Sequence, residues 1–222
     1  RGGRTPNRVQ RLHAGQDQGP WLDFIDRKVI ASGWLQELAS DGSRGLTSNP
    51  TIFAKAVATG QYDELIRGEI ETGHDTRHVF EEIEIADLGD AADILRPVYD
   101  ASDGADGFVS IEVEPDLAED SDRTLERARH LWGRLARPNV LVKIPATLAG
   151  LPAIEAAIAE GININITLMF SVDVYRAVAR AYIAGLRRRQ AAGGDIGSTA
   201  SVASFFVSRV DTKVDKALDA IG

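Results

Sequence analysis

An α/β chain whose parallel strands alternate with helices is what this sequence predicts, on three observations. First, short β-branched and aliphatic runs bounded by proline and glycine, chief among them Val140-Leu141-Val142-Lys143-Ile144, recur between longer segments with apolar residues three and four apart. Second, Ile162, Ile164, Ile166 and Leu168 alternate with Asn163, Asn165 and Thr167, which gives one strand an aliphatic face and a polar face. With helices flanking every strand, that polar face has to look into an enclosed space, as in the lumen of a βα-barrel near its rim. Third, no Gly-x-Gly-x-x-Gly turn follows any strand, so the runner-up, an open doubly wound sheet with a dinucleotide site, is unsupported. The predicted fold class is therefore a (β/α)8 TIM barrel, which needs eight βα units and about 250 residues. Only about six units are counted here, so a truncated barrel is expected.

The elements follow in order. Residues 1–19 are polar and basic and are expected as a flexible arm; residues 20–222 are expected as the barrel domain, its C-terminal part missing. Trp21 to Ile25 reads as the first strand, with Asp23 in it. Asp26 to Ser40 reads as one helix by the spacing of Val29, Ile30, Trp34, Leu35 and Leu38. Arg44 to Asn49 is the second strand, closed by Pro50, which can open a helix at its first position. Thr51 to Glu71 and Arg77 to Ala101 are helical, and Gly107 to Val113 is the third strand. Asp122 to Leu135 is amphipathic, with Leu125, Ala128, Leu131, Trp132 and Leu135 on one face. The Lys143 strand is fourth, followed by a helix through Glu160; residues 161–170 are the fifth strand, and Ser171 to Ala192 a long helix. Its Arg187-Arg188-Arg189 end reads as a solvated terminus favoured by the helix dipole. Thr199 to Asp211 is expected as the sixth strand and Lys213 to Ile221 as the next helix. Trp21, Trp34 and Trp132 are expected in the core.

Composition narrows the function classes. The 222 residues are 44% hydrophobic and 26% charged, ordinary for a globular chain. No apolar run reaches the ~18 residues of a membrane span, and residues 1–19 lack the apolar stretch of a secretory signal. The chain lacks an initiator methionine, which suggests a trimmed or partial sequence. Zero cysteines remove disulfide and thiolate chemistry and fit a cytoplasmic protein. A net charge of −8 argues against a nucleic-acid partner.

Of five lysines, Lys28, Lys55, Lys213 and Lys216 fall in helical segments, and Lys143 alone lies within a strand. Low dielectric disfavours an ammonium, and a neutral amine attacks carbonyls to form a Schiff base. The bland alternative is a strand-end lysine snorkelling to solvent. The other strands weigh against it, because polar groups align on one face. They are Asp23 on the first, Thr47 and Asn49 on the second, Ser110 and Glu112 on the third, Asn165 and Thr167 on the fifth, and Ser204 and Arg209 on the sixth. Schiff-base carbon–carbon chemistry needs an amine, a proton shuttle and donors for substrate hydroxyls, and this set supplies each without a cofactor or metal.

At these residues the chain resembles the transaldolases, of the longer bacterial type that includes chains fused to glucose-6-phosphate isomerase. The matching motifs are Leu22-Asp23, Gly45-Leu46-Thr47-Ser48-Asn49-Pro50-Thr51, residues 109–113, residues 142–147, residues 161–171 and residues 204–209. The resemblance implies a barrel of the class I aldolase kind and a transferase of the pentose phosphate pathway. It implies Lys143 as the Schiff-base lysine, Asp23 as the general acid/base, and Glu112 with Thr167 as holders of the catalytic water. Thr47, Asn49, Asn165 and Ser204 are implied as substrate-binding residues, and Arg209 as one arm of a phosphate site, which a guanidinium fork suits. Phosphorylated sugars would be the partners; the oligomeric state is not readable. The family completes its phosphate clamp on a later strand than any found here. The alternatives are a fructose-6-phosphate aldolase-like enzyme that releases free dihydroxyacetone and a non-catalytic sugar-phosphate-binding barrel fragment.

Three further features carry less. His74 and His78, with Asp75 and Glu81 nearby, read as a solvated helix face because no third metal ligand is evident. Glu112 has a second reading as the structural partner of Lys143, and Asn163 reads as a core hydrogen-bonding residue.

Overall fold

The computed structural model describes residues 5–221, and the chain divides into two compact units. The first comprises Arg1–Glu112 and Leu131–Val140; the second comprises Val113–His130 and Leu141–Gly222. Residues 1–4 of the expected arm lie outside the described residues.

In the first unit, strands β1 (Trp21–Leu22), β2 (Gly45–Thr47) and β3 (Phe108–Glu112) pair in parallel and in sequence order. Gly45 is required at its position: a Cβ there would stand 2.4 Å from the Trp21 indole, which lies across the backbone of the neighbouring strand. Helix α6 (Thr76–Ala101) buries Val79, Ile83, Leu88 and Leu95. It also buries Asp87, which accepts from Arg27 Nη1 at 2.7 Å and from the Tyr62 hydroxyl. Burial pushes the Asp87 carboxyl above its ordinary value, against the lowering effect of those two donors. The side chain of Asn139, 1% exposed, donates to the carbonyls of Ala92 and Gly107 at 2.8 and 2.9 Å, tying the residue before the fourth strand to α6 and to the approach to β3.

In the second unit, β4 (Val140–Pro145, entering from the first unit at Val140), β5 (Ile164–Met169) and β6 (Ser201–Phe205) are likewise parallel and sequential. Helices α8 (Gly150–Glu160) and α9 (Val172–Ala191) follow β4 and β5. Arg129, on α7 (Ser121–Leu135), pairs with Glu160 at the end of α8 through two bonds of 2.7 and 2.5 Å. Within the first unit Val109 N–H donates to the Asn139 carbonyl, and within the second Val113 N–H donates to that of Lys143. Six parallel strands in sequence order, each followed by a helix, are the α/β pattern of a (β/α)8 barrel over six of its units.

Several expectations are corrected. The amino-terminal arm holds helix α1 (Arg8–Gln16), started by a capping box between Asn7 and Gln10 and docked through Asn7 Nδ2 to Asp41 O at 2.7 Å and His13 Nε2 to Asp106 at 3.0 Å. The helix expected over Asp26 to Ser40 is two, α2 (Arg27–Ala31) and α3 (Trp34–Asp41), because Gly33 takes a left-handed conformation (φ +80°) between them. The next is also two, α4 (Pro50–Val57) and α5 (Asp63–Glu71), parted by a turn through Gly60. Trp34 opens α3 at 42% exposure and is not core. Strand β6 ends at Phe205, and helix α10 (Ser208–Asp219) begins before Arg209. Val207, Val210, Val214 and Leu218 recur at helical spacing, and that periodicity prevails over the β-prone residues before it.

Candidate functional site

The second unit gathers part of the expected set. All six residues of β4 are buried, and Lys143 in their midst is 6% exposed. Lys143 stands in register with Asn165, and Pro145 with Thr167. Register partners in a parallel pair project to the same face, so Lys143 and Asn165 share one side of the sheet. Asn165 is 1% exposed, and its Oδ1 accepts from Ser204 Oγ on β6 at 2.8 Å. The result is a chain of side chains across three adjacent strands: amine, amide, hydroxyl. With Ser204 donating to Oδ1, the Asn165 Nδ2 serves as a donor elsewhere. Thr167, 1% exposed, lies one full pleat further along β5 on the same face.

The alternation that identified β5 breaks next to Thr167. Leu168 adopts φ +61°, and the β5–β6 register shifts between Ile166 and Met169. A leucine in left-handed backbone costs about 1 kcal/mol or more, and a bulge re-aims side chains at a strand end. Leu168 is consequently 37% exposed and does not share the buried aliphatic face expected of it. Asn163, by contrast, does what a core amide should: its Oδ1 accepts from Ala200 N–H at 2.8 Å.

Arg209 is not a strand residue. It lies exposed in the first turn of α10, with its guanidinium 4.9 Å from the centroid of the Phe206 ring. A half-open apolar cleft of about 240 Å³ past β4, lined by Ala146, Leu148, Leu151, Val174 and Ala177 among others, includes none of the polar set.

In the first unit, Thr47 at the end of β2 is in register with Ser110 of β3, whose carbonyl accepts from Ser48 Oγ at 2.8 Å. Glu112 is the last residue of β3 and is half-buried. Asp23 is exposed and follows β1 directly, the strand having ended at Leu22. Asn49 is also past its strand: it is the N-cap of α4, its Oδ1 accepting from Ile52 N–H at 3.0 Å. Asp23, Thr47, Asn49 and Glu112 thus all sit at or just beyond the C-terminal ends of their strands, where barrel enzymes carry their chemistry.

The chain matches the family model described as Transaldolase/Fructose-6-phosphate aldolase over residues 20–221. It is 54% identical over 203 residues to "Transaldolase" of Thermobifida fusca (strain YX), covering 90% of this chain and 55% of that protein. It is 51% identical over 214 residues to "Transaldolase" of Saccharopolyspora erythraea, covering 95% and 58%. "Transaldolase 2" of Nostoc sp. (strain PCC 7120) is 49% identical over 205 residues, covering 91% and 54%. The chain spans a little over half the length of these relatives.

Proposed function

Because the chain belongs to the transaldolase/fructose-6-phosphate aldolase family, we propose that it is a transaldolase and that Lys143 is its Schiff-base nucleophile. One observation carries this reading: the buried amine of Lys143 in register with Asn165, whose amide is held by Ser204. In the proposed reaction the Lys143 amine adds to the C2 carbonyl of sedoheptulose 7-phosphate and water is lost, leaving an imine. Asp23 takes the proton of the C4 hydroxyl, the C3–C4 bond breaks, and its electron pair moves into an enamine as erythrose 4-phosphate leaves. The enamine carbon then attacks the aldehyde of glyceraldehyde 3-phosphate, Asp23 returns the proton, and hydrolysis frees fructose 6-phosphate and the amine. Glu112 and Thr167 hold the water that shuttles protons at the imine. Thr47, Asn49, Asn165 and Ser204 bind hydroxyls, and Arg209 contributes to phosphate binding. The setting proposed is the cytoplasm, where a chain with zero cysteines is at home. Among the described residues no helix is long and apolar enough to cross a membrane.

Borohydride trapping with fructose 6-phosphate tests the assignment. A reduced adduct is expected on the Lys143 peptide of the folded chain and absent from Lys143→Met. A folded chain that forms no adduct, or the same adduct in Lys143→Met, overturns it. Adding glyceraldehyde 3-phosphate with sedoheptulose 7-phosphate separates transfer from release, since transfer produces fructose 6-phosphate without free dihydroxyacetone, whereas release sets dihydroxyacetone free in solution.

A further inference from the structure

Three side chains of the first unit converge at the joint between α5 and α6. Glu69 comes from the last turn of α5, His74 from the turn that follows, and His78 from the first turn of α6. Gly73, at φ +87°, reverses the chain there, and Asp75 caps α6 by accepting from His78 N–H at 2.9 Å. His74 Nδ1 lies 2.7 Å and His78 Nε2 3.7 Å from Glu69 Oε2, and the two imidazole centroids are 3.9 Å apart. The three ligand atoms lie within 4.8 Å of one another. His74 precedes the helix, so the pair is not the helix-face i, i+4 couple that its spacing suggests, and the third group comes from the preceding helix.

We propose that Glu69, His74 and His78 form a Zn2+ site. Tetrahedral zinc with bonds of about 2.0–2.1 Å separates neighbouring ligand atoms by about 3.3 Å. The two separations from Glu69 fall on either side of that value and the third is no more than 4.8 Å, so side-chain rotations in groups that are 28–44% exposed bring all three onto one ion. Two imidazoles and one carboxylate suit zinc or a neighbouring late transition ion; calcium and magnesium require mostly oxygen. The half-open setting leaves a fourth position for water. Glu82 Oε1 stands 3.5 Å from His78 Nε2, but both its oxygens are held by Arg134 at 2.7 and 2.9 Å, which makes it an outer partner. Thr72 Oγ1, 3.1 Å from His74 Nδ1, is the other group that zinc would displace. The three ligands fall within ten residues, so the site clips the α5–α6 turn and uses none of the residues proposed for catalysis.

Calorimetric Zn2+ titration of the chelator-stripped chain, with Co2+ absorption as a reporter of tetrahedral geometry, tests this. The expected result is one saturable equivalent, weakened at least tenfold in His74→Ala and in His78→Ala and unchanged in His130→Ala on the exposed face of α7. Absence of saturable binding, or less than tenfold weakening in both of the first two variants, overturns the site. Circular dichroism of each variant shows that the fold is retained.

Discussion

Asn139 governs how the Lys143 strand is entered, and removing its side chain tests that role. It sits four positions before Lys143 and is 1% exposed, with its amide nitrogen donating at 2.8 Å to Ala92 O and 2.9 Å to Gly107 O. Each hydrogen bond contributes about 0.5–1.5 kcal/mol net, and a buried carbonyl left without its donor adds to the loss. Asn139→Ala should therefore cost about 2–4 kcal/mol, which for a chain of this size lowers Tm by roughly 4–16 °C. The more telling variant is Asn139→Asp, which keeps the shape but sets a carboxylate against two carbonyl oxygens. It should be worse than alanine at neutral pH. Burial and those carbonyls raise the folded pKa of the new carboxyl above its unfolded value of about 3.9. The extra penalty is thus full above the folded pKa and is relieved as pH falls toward 3.9. Thermal unfolding of wild type, Asn139→Ala and Asn139→Asp between pH 4.5 and 8 measures this ranking. An Asn139→Asp chain as stable as wild type at neutral pH, or one that gains nothing on acidification relative to Asn139→Ala, would refute the reasoning.

Other outcomes follow from the same geometry. Gly45→Ala places a methyl 2.4 Å from the Trp21 ring and should destabilise by about 1–3 kcal/mol or more, read by urea unfolding. Ser204→Ala removes the 2.8 Å bond that orients Asn165; about 1 kcal/mol of stability is lost, and trapping at Lys143 slows severalfold, whereas Ser204→Thr retains most of the rate. Arg129 holds Glu160 below the usual carboxylate range, and Arg137 does the same for Asp93. For both, the folded pKa is depressed, so the stabilisation is present above the unfolded carboxylate pKa and fades as pH drops through the folded one. Arg129→Gln together with Arg137→Gln should therefore lower stability by a constant amount at neutral and alkaline pH, with the difference from wild type shrinking along a flatter acid limb, and salt should mask it.

The sequence by itself determined the features that depend on neighbours in the chain. Runs such as 140–144 and the alternation over 162–167 specify strands, because side-chain parity is a property of a few consecutive residues. The spacing in α6 and α7 likewise specified long helices, and Lys143 stood out as the one lysine in a strand. Other features belong to the tertiary structure, since they are decided by partners distant in sequence or by competition between local signals. The amino-terminal segment is ordered as a helix by Asp41, Ser40 and Asp106, at least thirty positions away. Residues 206–211 are equally readable as strand or helix until β6 is paired, and pairing ends it at Phe205. Alternation through Leu168 gives no sign of the bulge, which arises where β5 adjusts its register to β6. Asn49 carries the same letter whether it caps a helix or lines a site, and only its 3.0 Å bond to Ile52 N–H tells that it caps α4. Glu69 joins the two histidines through the turn at Gly73, which periodicity does not encode. Local pattern fixes what each segment can be; long-range hydrogen bonding and burial fix where it ends and what its side chains meet.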